Sequence, residues 1–102
     1  LPYLGDLALG RDDFAEAERW FRQGLEGFSQ GPLQDDCRYG LARALDRQGN
    51  VAEAERLYLA LTGKLASPLA DDARFHLGAL HYAAGRFDEA AEAFPAPPTR
   101  IR

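Results

Sequence analysis

Apolar residues recur along this chain at the spacing of α-helices and not at the alternating spacing of strands. One segment carries apolar or small residues at steps of three and four, namely Phe14, Ala17, Phe21, Gly24 and Phe28. A later segment repeats these steps with Val51, Ala54, Tyr58, Leu61 and Leu65. Such spacing places the apolar side chains on one face of a helix. Both segments are therefore predicted to be amphipathic helices.

Glycine and proline residues lie between the helical segments of the chain. Turn or helix-end signals occur at residues 10–13, 31–32, 49–50, 67–68 and 85–86. Pro32 and Pro68 suit the first turn of a helix, where a backbone amide has no partner to lose. We predict six helices, near residues 2–10, 13–29, 33–48, 51–65, 69–84 and 87–94. Because the connections are short, neighbouring helices should be antiparallel.

The sequence repeats itself with a period of 36 to 37 residues. The stretch PLQDDCRY at residues 32–39 returns as PLADDARF at 68–75, and AEAER at 15–19 recurs at 52–56. In repeat arrays each unit buries its apolar face mainly against its neighbours. We therefore expect a single domain over residues 1–102, with repeats near 1–31, 32–67 and 68–94 and a Pro-rich tail at 95–102.

Three helical hairpins of this length resemble the tetratricopeptide repeat family. In that family a large apolar residue precedes a small one in the first helix, and an alanine precedes an aromatic in the second. The first-helix pairs here are Leu4-Gly5, Leu41-Ala42 and Leu77-Gly78, and the second-helix pairs are Ala17 and Phe21, Ala54 and Tyr58, and Ala90 and Phe94. The resemblance implies an all-α fold, a right-handed α-solenoid of about three antiparallel hairpins.

The sequence also departs from the family pattern. The large aromatic expected early in each first helix is replaced by Leu1, Arg38 and Arg74, and the period exceeds the usual 34 residues. Longer repeats with a Pro-Leu-x-Asp-Asp-x-Arg-aromatic opening resemble the bacterial envelope type, which accompanies the Tol-Pal system and outer-membrane assembly lipoproteins.

Charge and hydropathy limit the classes of partner. The chain of 102 residues has a net charge of -4 and no apolar run near the roughly 20 residues that a membrane span needs. Phosphate binding requires a clustered basic face, whereas Arg and Glu alternate along these helices. We expect a protein or peptide partner, no nucleic acid and no membrane insertion.

The compartment stays open between bacterial cytoplasm and periplasm. A single cysteine, Cys37, cannot form an internal disulfide, so both reducing and oxidising surroundings are compatible with the sequence. The chain begins with Leu1 and shows no signal peptide, which suggests a piece of a longer polypeptide. Abundant Ala and Arg are associated with a GC-rich bacterial genome.

The histidine, cysteine and acidic residues of the sequence do not have the spacing of a catalytic or metal site. His76 and His81 lie five apart, about 140° around a helix, whereas two zinc ligands on a helix usually lie four apart. Asp72 and His76 have that spacing but are better explained as a helix-start carboxylate near a surface imidazole. A thiolate at Cys37 would be favoured by its helix start, yet no histidine is near it in the sequence, and a partly buried small residue is the preferred reading. We expect no enzyme activity, no metal and no cofactor.

The resemblance implies that the first helix of each hairpin lines a concave face. The family's groove-facing positions correspond here to Tyr3, Asp6, Leu9, Asp36, Tyr39, Arg43, Arg47, Asp72, Phe75, His76, Ala79 and Tyr82. Aromatic rings beside arginines suit an extended or helical peptide with apolar anchors and an acidic group. The candidate peptide-binding residues are Tyr39, Arg43, Arg47, Phe75, His76 and Tyr82. For Tyr39 and Phe75, packing between adjacent helices is the favoured alternative.

The last predicted helix leaves apolar residues without a following helix to cover them. These residues are Phe87, Ala90, Ala91 and Phe94. Either the tail at 95–102 folds over them, or they pair with another chain, which we favour because apolar patches often mark interfaces. The main function predicted is a non-enzymatic, peptide-binding scaffold. The alternatives are a homo-oligomerisation or structural module of a larger bacterial protein and, more remotely, an accessory domain of an enzyme.

Overall fold

The computed structural model describes residues 2–27, 32–63 and 69–94, and these fold into α-helices. The helices are α1 (Pro2–Gly10), α2 (Phe14–Gly27), α3 (Pro32–Arg47), α4 (Val51–Thr62), α5 (Ala70–Ala83) and α6 (Phe87–Ala93). All six predicted helices are confirmed, and most of their ends agree within one residue. Helix α4 ends before Gly63, because glycine is a poor helix former. Residues 28, 29, 64 and 65, predicted to be helical, lie outside the described residues.

The helices form a solenoid of three antiparallel hairpins in chain order. Helix α1 packs on α2, α3 on α4 and α5 on α6, while α2 with α3 and α4 with α5 join consecutive hairpins. Helix α1 also contacts α3, so the first helices of the first two hairpins lie side by side. The predicted fold class, an all-α helical-repeat solenoid, is confirmed.

One type of turn ends the first helix of every hairpin. Asp12, Gly49 and Gly85 all have positive φ, of 59°, 88° and 82°. In the central turn the Asn50 amide donates to the Leu45 carbonyl at 2.8 Å, and the equivalent bonds in the outer turns are both 2.9 Å. This is the hydrogen-bond pattern of a left-handed helix cap. Two turns use glycine, whereas the first uses an aspartate in the same conformation.

Small residues allow the aromatic rings of the second helices to enter the core. The Phe21 ring of α2 lies between Gly5 of α1 and Gly40 of α3 and is 1% exposed. A Cβ at Gly5 would approach that ring to 2.5 Å, and one at Gly40 would also clash with it. In the last hairpin the Phe94 ring lies against Gly78 in the same manner. Each ring therefore fills a space that a larger first-helix residue would occupy.

The repeated Pro-Leu-x-Asp-Asp-x-Arg motif stabilises the start of a helix. In α3 the Arg38 guanidinium pairs with Asp35 at 3.1 Å, and in α5 Arg74 pairs with Asp71 at 2.8 Å. The aspartates lie in the first turn, where the helix dipole favours negative charge. The motif thus has a local structural role in both hairpins.

Candidate functional site

The exposed side of α1, α3 and α5 is called the groove face below. It is continuous because α1 contacts α3, and because Tyr39 of α3 contacts His76 of α5 with ring centroids 5.6 Å apart. The structure brings four of the six candidate residues, Tyr39, Arg43, Phe75 and His76, into one chain of contacts.

Sequence reasoning did not include Tyr58 of α4 in this site. Its ring stacks on His76, with centroids 5.5 Å apart and planes 8° apart, and contacts Tyr39 edge-on at 6.3 Å. Its side chain is fully buried, which agrees with its predicted place on the apolar face of its helix. The sequence feature that could have singled out Tyr58 is its phenol hydroxyl. Phe21 and Phe94, at the equivalent positions of the other hairpins, carry no hydroxyl group.

Tyr39 and Phe75 differ although they occupy equivalent repeat positions. Tyr39 is half-buried against the core, as the packing alternative predicts. Phe75 is 57% exposed, and its ring contacts the edge of His76 and the ring of Phe94. The reason is that α5 covers Tyr39, whereas no further first helix follows α5 in the described residues. The Phe75 ring is thus largely exposed although it contacts Phe94 at the end of the adjacent helix, and its role as packing or groove residue stays a prediction.

The surroundings of His76 favour the neutral form of its imidazole. Burial lowers its pKa, and the charge of Arg43 lowers it further against the opposing effect of Asp46 and Asp72. Gly40 is the equivalent residue of the preceding hairpin, since 76 minus 36 is 40. The two junctions therefore differ, because Phe21 faces a bare glycine whereas Tyr58 faces an imidazole ring.

Arg43 and Arg47 are exposed arginines held against aromatic rings. The Arg43 guanidinium lies 5.7 Å from the centroid of Tyr39, and that of Arg47 lies 4.8 Å from the centroid of Phe14. Neither forms an ion pair with any described carboxylate. Other arginines do so, and on the second-helix side Arg22 contacts Glu53 at 3.2 Å and Arg86 contacts Glu55 at 3.4 Å. Arg43 and Arg47 are thus held by aromatic rings, whereas Arg22 and Arg86 are held by carboxylates.

A small cavity of about 100 Å³ opens beside these groups. It is lined by Leu9, Phe14, Arg43, Asp46, Arg47, Tyr58 and His76. Burial raises the pKa of Asp46, partly offset by the nearby His76 and Arg47. The Tyr58 hydroxyl is buried and has no hydrogen-bond partner among the described residues. The cavity therefore places two cationic side chains beside the Asp46 carboxylate, while the Tyr58 hydroxyl itself is shielded from solvent.

A second recess of about 320 Å³ lies between α1 and α3. It is lined by Asp6, Asp36, Tyr39, Gly40 and Arg43. Burial raises the pKa of Asp36, and the negative charges of Asp6 and Asp35 raise it further. The groove face is therefore polarised, with carboxylates near the start of α3 and arginines towards its end.

The remaining candidate residues lie apart from this cluster. Tyr82 is 63% exposed, and its ring contacts Phe87, itself 59% exposed, at 5.1 Å. Ala91 is also exposed. Ala90, however, is 2% exposed, and Phe94 is partly buried against Gly78. The expectation that all four α6 residues are uncovered is wrong for Ala90, because α6 turns that side towards α5. The tail at 95–102 lies outside the described residues.

The described ranges also include the histidine, cysteine and carboxylate side chains that a catalytic or metal site would use. They contain no cluster of three His, Cys, Asp or Glu side chains suited to a metal, and no helix in them has the length and apolar character to cross a bilayer. His81 is buried, and its Nδ1 accepts a hydrogen bond from Arg86 at 3.1 Å. Cys37 is fully buried, and burial raises the pKa of its thiol.

Comparison with known families agrees with this architecture. A family model described as tetratricopeptide repeat matches residues 3–67 and again residues 39–98. Neither a curated protein nor a solved structure matches the chain. Repeats of this type are generally protein–protein interaction modules and are typically not enzymes. The chain therefore belongs to the tetratricopeptide repeat family.

Proposed function

We propose that the groove face, as the concave side of the solenoid, binds a segment of a partner protein that carries apolar anchors and an acidic group. The observation that carries this proposal is the pair Arg43 and Arg47, which are held over aromatic rings without ion-pair partners among the described residues. Arginine and aromatic side chains are the groups most enriched at binding hot spots. An acidic residue of the partner would supply the missing countercharge.

The apolar part of the proposed site consists of exposed rings on α5. Phe75 and Tyr82 are 57% and 63% exposed. Large rings in contact with water are favourable anchors, because covering them with a partner removes apolar surface from water. Seven residues, or about two helical turns, separate them along α5. A helical peptide or an extended one could place two apolar side chains at that separation.

The charge distribution supports an orientation for the bound segment. Arginines lie towards the end of α3, whereas Asp6 and Asp36 face a recess near its start. A segment with an acidic residue at one end and a basic residue at the other would match both regions. Complementary charge of this kind mainly affects specificity and the rate of association. Binding should therefore weaken as ionic strength rises.

Selection from a displayed library of short random peptides tests this function. We expect the recovered peptides to share an acidic residue and large apolar residues. Tyr82→Ala and Arg43→Glu should weaken capture of these peptides while leaving the helical circular-dichroism signal unchanged. Arg56→Glu, at an exposed arginine of α4, is the matched charge control. Equal capture by all variants would move the site away from the groove face.

Self-association is a second candidate function, supported by one observation. Phe87 and Tyr82 together expose two contacting rings at the end of the array. Apolar patches of this kind often mark interfaces. A second copy or a further repeat of a longer parent chain would cover them. In that case the module would have a structural role within a larger assembly.

The long repeat period and the Pro-Leu-x-Asp-Asp-x-Arg opening also support a finer proposal, that the repeats are of the bacterial envelope type. The ion pairs within that opening give it a structural role that any compartment would allow. Fractionation of cells that produce the protein tests the compartment directly. Recovery from the cytoplasm alone would overturn this assignment.

A further inference from the structure

A recess of about 400 Å³, called the acidic recess below, is formed by α4, α5 and α6. Its apolar part includes Leu59 of α4, which is 48% exposed, and Leu77 of α5, which is buried. The carboxylates of Glu55, Glu89 and Glu92 line the same recess. It shares no lining residue with the two cavities of the groove face. The acidic recess is therefore a separate surface feature, on the second-helix side of the solenoid.

The first junction contains the same pair of glutamates one repeat earlier, with an arginine between them. Glu18 corresponds to Glu55, 37 residues later, and Glu53 corresponds to Glu89, 36 residues later. The Arg22 guanidinium donates to Glu18 at 2.8 Å and to both carboxylate oxygens of Glu53 at 3.2 Å. The chain itself therefore shows which group fits between two glutamates placed in this way, namely a guanidinium.

The second junction keeps the glutamates and lacks this arginine. The residue equivalent to Arg22 is Leu59. Glu92 occupies the position of Arg56, so a second arginine is replaced by an acidic residue. The acidic recess is consequently more negative than the equivalent region of the first junction. Charge complementarity favours a cationic occupant.

Two arginines of the chain lie near the acidic recess and are engaged in ion pairs. Arg86, in the turn before α6, contacts Oε1 of Glu55 at 3.4 Å and Oε1 of Glu89 at 3.2 Å. Arg74 lines the recess but pairs with Asp71 at 2.8 Å. Among the described residues, these pairs leave the second oxygen of Glu89 and the third carboxylate of the recess without a cation.

We propose that the acidic recess binds an arginine side chain of a partner protein, whose guanidinium pairs with Glu89 and Glu92 and whose methylene stem lies on Leu59 and Leu77. A guanidinium donates to carboxylates in pairs of parallel hydrogen bonds, and the arginine stem covers apolar surface. A volume of about 400 Å³ is within the range of recesses that hold ligands. Because this site is separate from the groove face, one chain could hold two partner segments at once.

The test uses N-propylguanidinium chloride, which reproduces the arginine side chain, and the whole chain near neutral pH. NMR resonances of the His81 ring and the Leu59 methyl groups, both in the lining, are followed while sodium chloride is exchanged for the probe at constant ionic strength. N-propylurea has nearly the same shape without the charge and is the control ligand. We expect saturable shifts with the guanidinium in the millimolar range and a response at least about tenfold weaker with the urea.

Variants of the acidic residues locate the binding site on α6. Glu89→Gln and Glu92→Gln should each weaken probe binding by about threefold, the effect of one exposed ion pair, and the double variant by about tenfold. Asp88→Asn is the matched control, because Asp88 lies on the same helix but outside the lining. It should leave the affinity unchanged. An equal loss in Asp88→Asn and Glu92→Gln would show nonspecific attraction to negative charge and would overturn the proposal.

Leu59→Arg rebuilds in the second junction the arrangement of the first. The new guanidinium should pair with the two glutamates of the acidic recess as Arg22 does with their equivalents. We expect probe binding to be lost and Tm to be unchanged or raised. Leu59→Met, which keeps an apolar side chain of similar length, should still bind the probe. Undiminished binding in Leu59→Arg would overturn the proposal.

The remaining outcomes identify the source of the cation. A capped Ala-Arg-Ala peptide should bind at least as tightly as the probe, and weaker binding of the peptide would overturn the assignment to a protein partner. Binding that appears only after residues 95–102 are removed would assign the recess to the chain's own Arg100 or Arg102 and would overturn it as well. An equal response to the guanidinium and the urea would reduce the recess to an apolar hollow. Arg43→Glu should leave the response unchanged, so the result is independent of the groove-face function.

Discussion

The imidazole ring of His76 lies parallel to the phenol ring of Tyr58, with centroids 5.5 Å apart and an angle of 8° between the planes. The two residues belong to α5 and α4, so this contact joins the second and third hairpins. At the first junction the corresponding ring, Phe21, meets Gly40 instead. The stack therefore places a titratable imidazole in the second junction, at the position where the first junction has a glycine.

Tyr58→Phe should leave the free protein as stable as the wild type or more stable, by up to about 1 kcal/mol, because the substitution removes a buried hydroxyl without a partner. A gain of that size corresponds to a rise in Tm of roughly 4–8 °C for a domain of this size. Thermal unfolding followed by circular dichroism measures the change. A clear fall in Tm would show that the hydroxyl is already satisfied in the free protein by an ordered water.

Acidification should destabilise the fold through His76. Burial and Arg43 lower the folded-state pKa below the reference value of 6.5, so the unfolded state takes up its proton first as pH falls. Stability contributed by the neutral imidazole is present above the unfolded pKa and is lost as pH falls below it. Asp46 and Asp72 face the same ring and oppose this shift. Asp46 has a raised pKa and therefore changes stability in the opposite sense, but at lower pH.

The measurement compares Tm at pH values above and below the ordinary pKa of histidine. We expect Tm of the wild type to fall between about pH 7.5 and pH 5.5, since the unperturbed pKa of histidine is near 6.5. His76→Gln should show a smaller fall, because the titrating group is absent. An identical pH dependence in the two proteins would assign the effect to other groups.

Gly40→Ala should destabilise the protein by about 1–3 kcal/mol, the range typical of an overpacked core. The new methyl group would collide with the Phe21 ring, which is 1% exposed and is blocked on its other side by Gly5. Gly27→Ala is the matched control, because a Cβ there meets nothing within 4 Å. That change should be neutral or stabilising by a few tenths of a kcal/mol. Equal unfolding midpoints in urea for both variants would contradict the packing described for Phe21.

Asp12→Gly should stabilise the first hairpin by about 1 kcal/mol, because Asp12 adopts the left-handed conformation that glycine adopts at lower cost. Gly49 and Gly85 already occupy this position in the other turns, which shows that glycine is compatible with it. Urea unfolding measures the gain. A loss of stability would indicate that the Asp12 side chain makes a compensating interaction.

The helices and the apolar core could be predicted from the sequence because they depend on local spacing. Phe14, Ala17 and Phe21 recur at helical steps, and the same steps return one repeat later. The small residues Gly5 and Gly78, which follow the first-helix leucines of the repeat pattern, lie in close contact with the rings of Phe21 and Phe94. These features require only that neighbouring units be similar.

The cavity could not be predicted, because it depends on differences between units and on contacts across helices. The sequence places Tyr58 in the core as an equivalent of Phe21, and nothing local indicates that its hydroxyl lacks a partner. Asp46 is a single carboxylate near a helix end, which is unremarkable until α5 brings His76 beside it. The exposure of the Tyr39 and Phe75 rings likewise depends on whether another helix follows. Equivalent positions of the repeat therefore have different surroundings in the middle and at the end of an array.

The exposed rings at the end of the array lead to a final expectation, concentration-dependent association. Phe87 is 59% exposed and contacts Tyr82, which is 63% exposed, so a second copy could cover both rings. Phe87→Glu should abolish association without loss of stability, because the charged side chain would replace a ring that packs little within its own chain. Phe94→Glu is a less selective variant, since Phe94 packs against Gly78 and its replacement should also lower Tm. Sedimentation or light scattering over a wide concentration range measures the assembly. A wild-type chain that stays monomeric throughout, with Phe87→Glu behaving identically, would exclude self-association through this end and leave the rings available to a different partner.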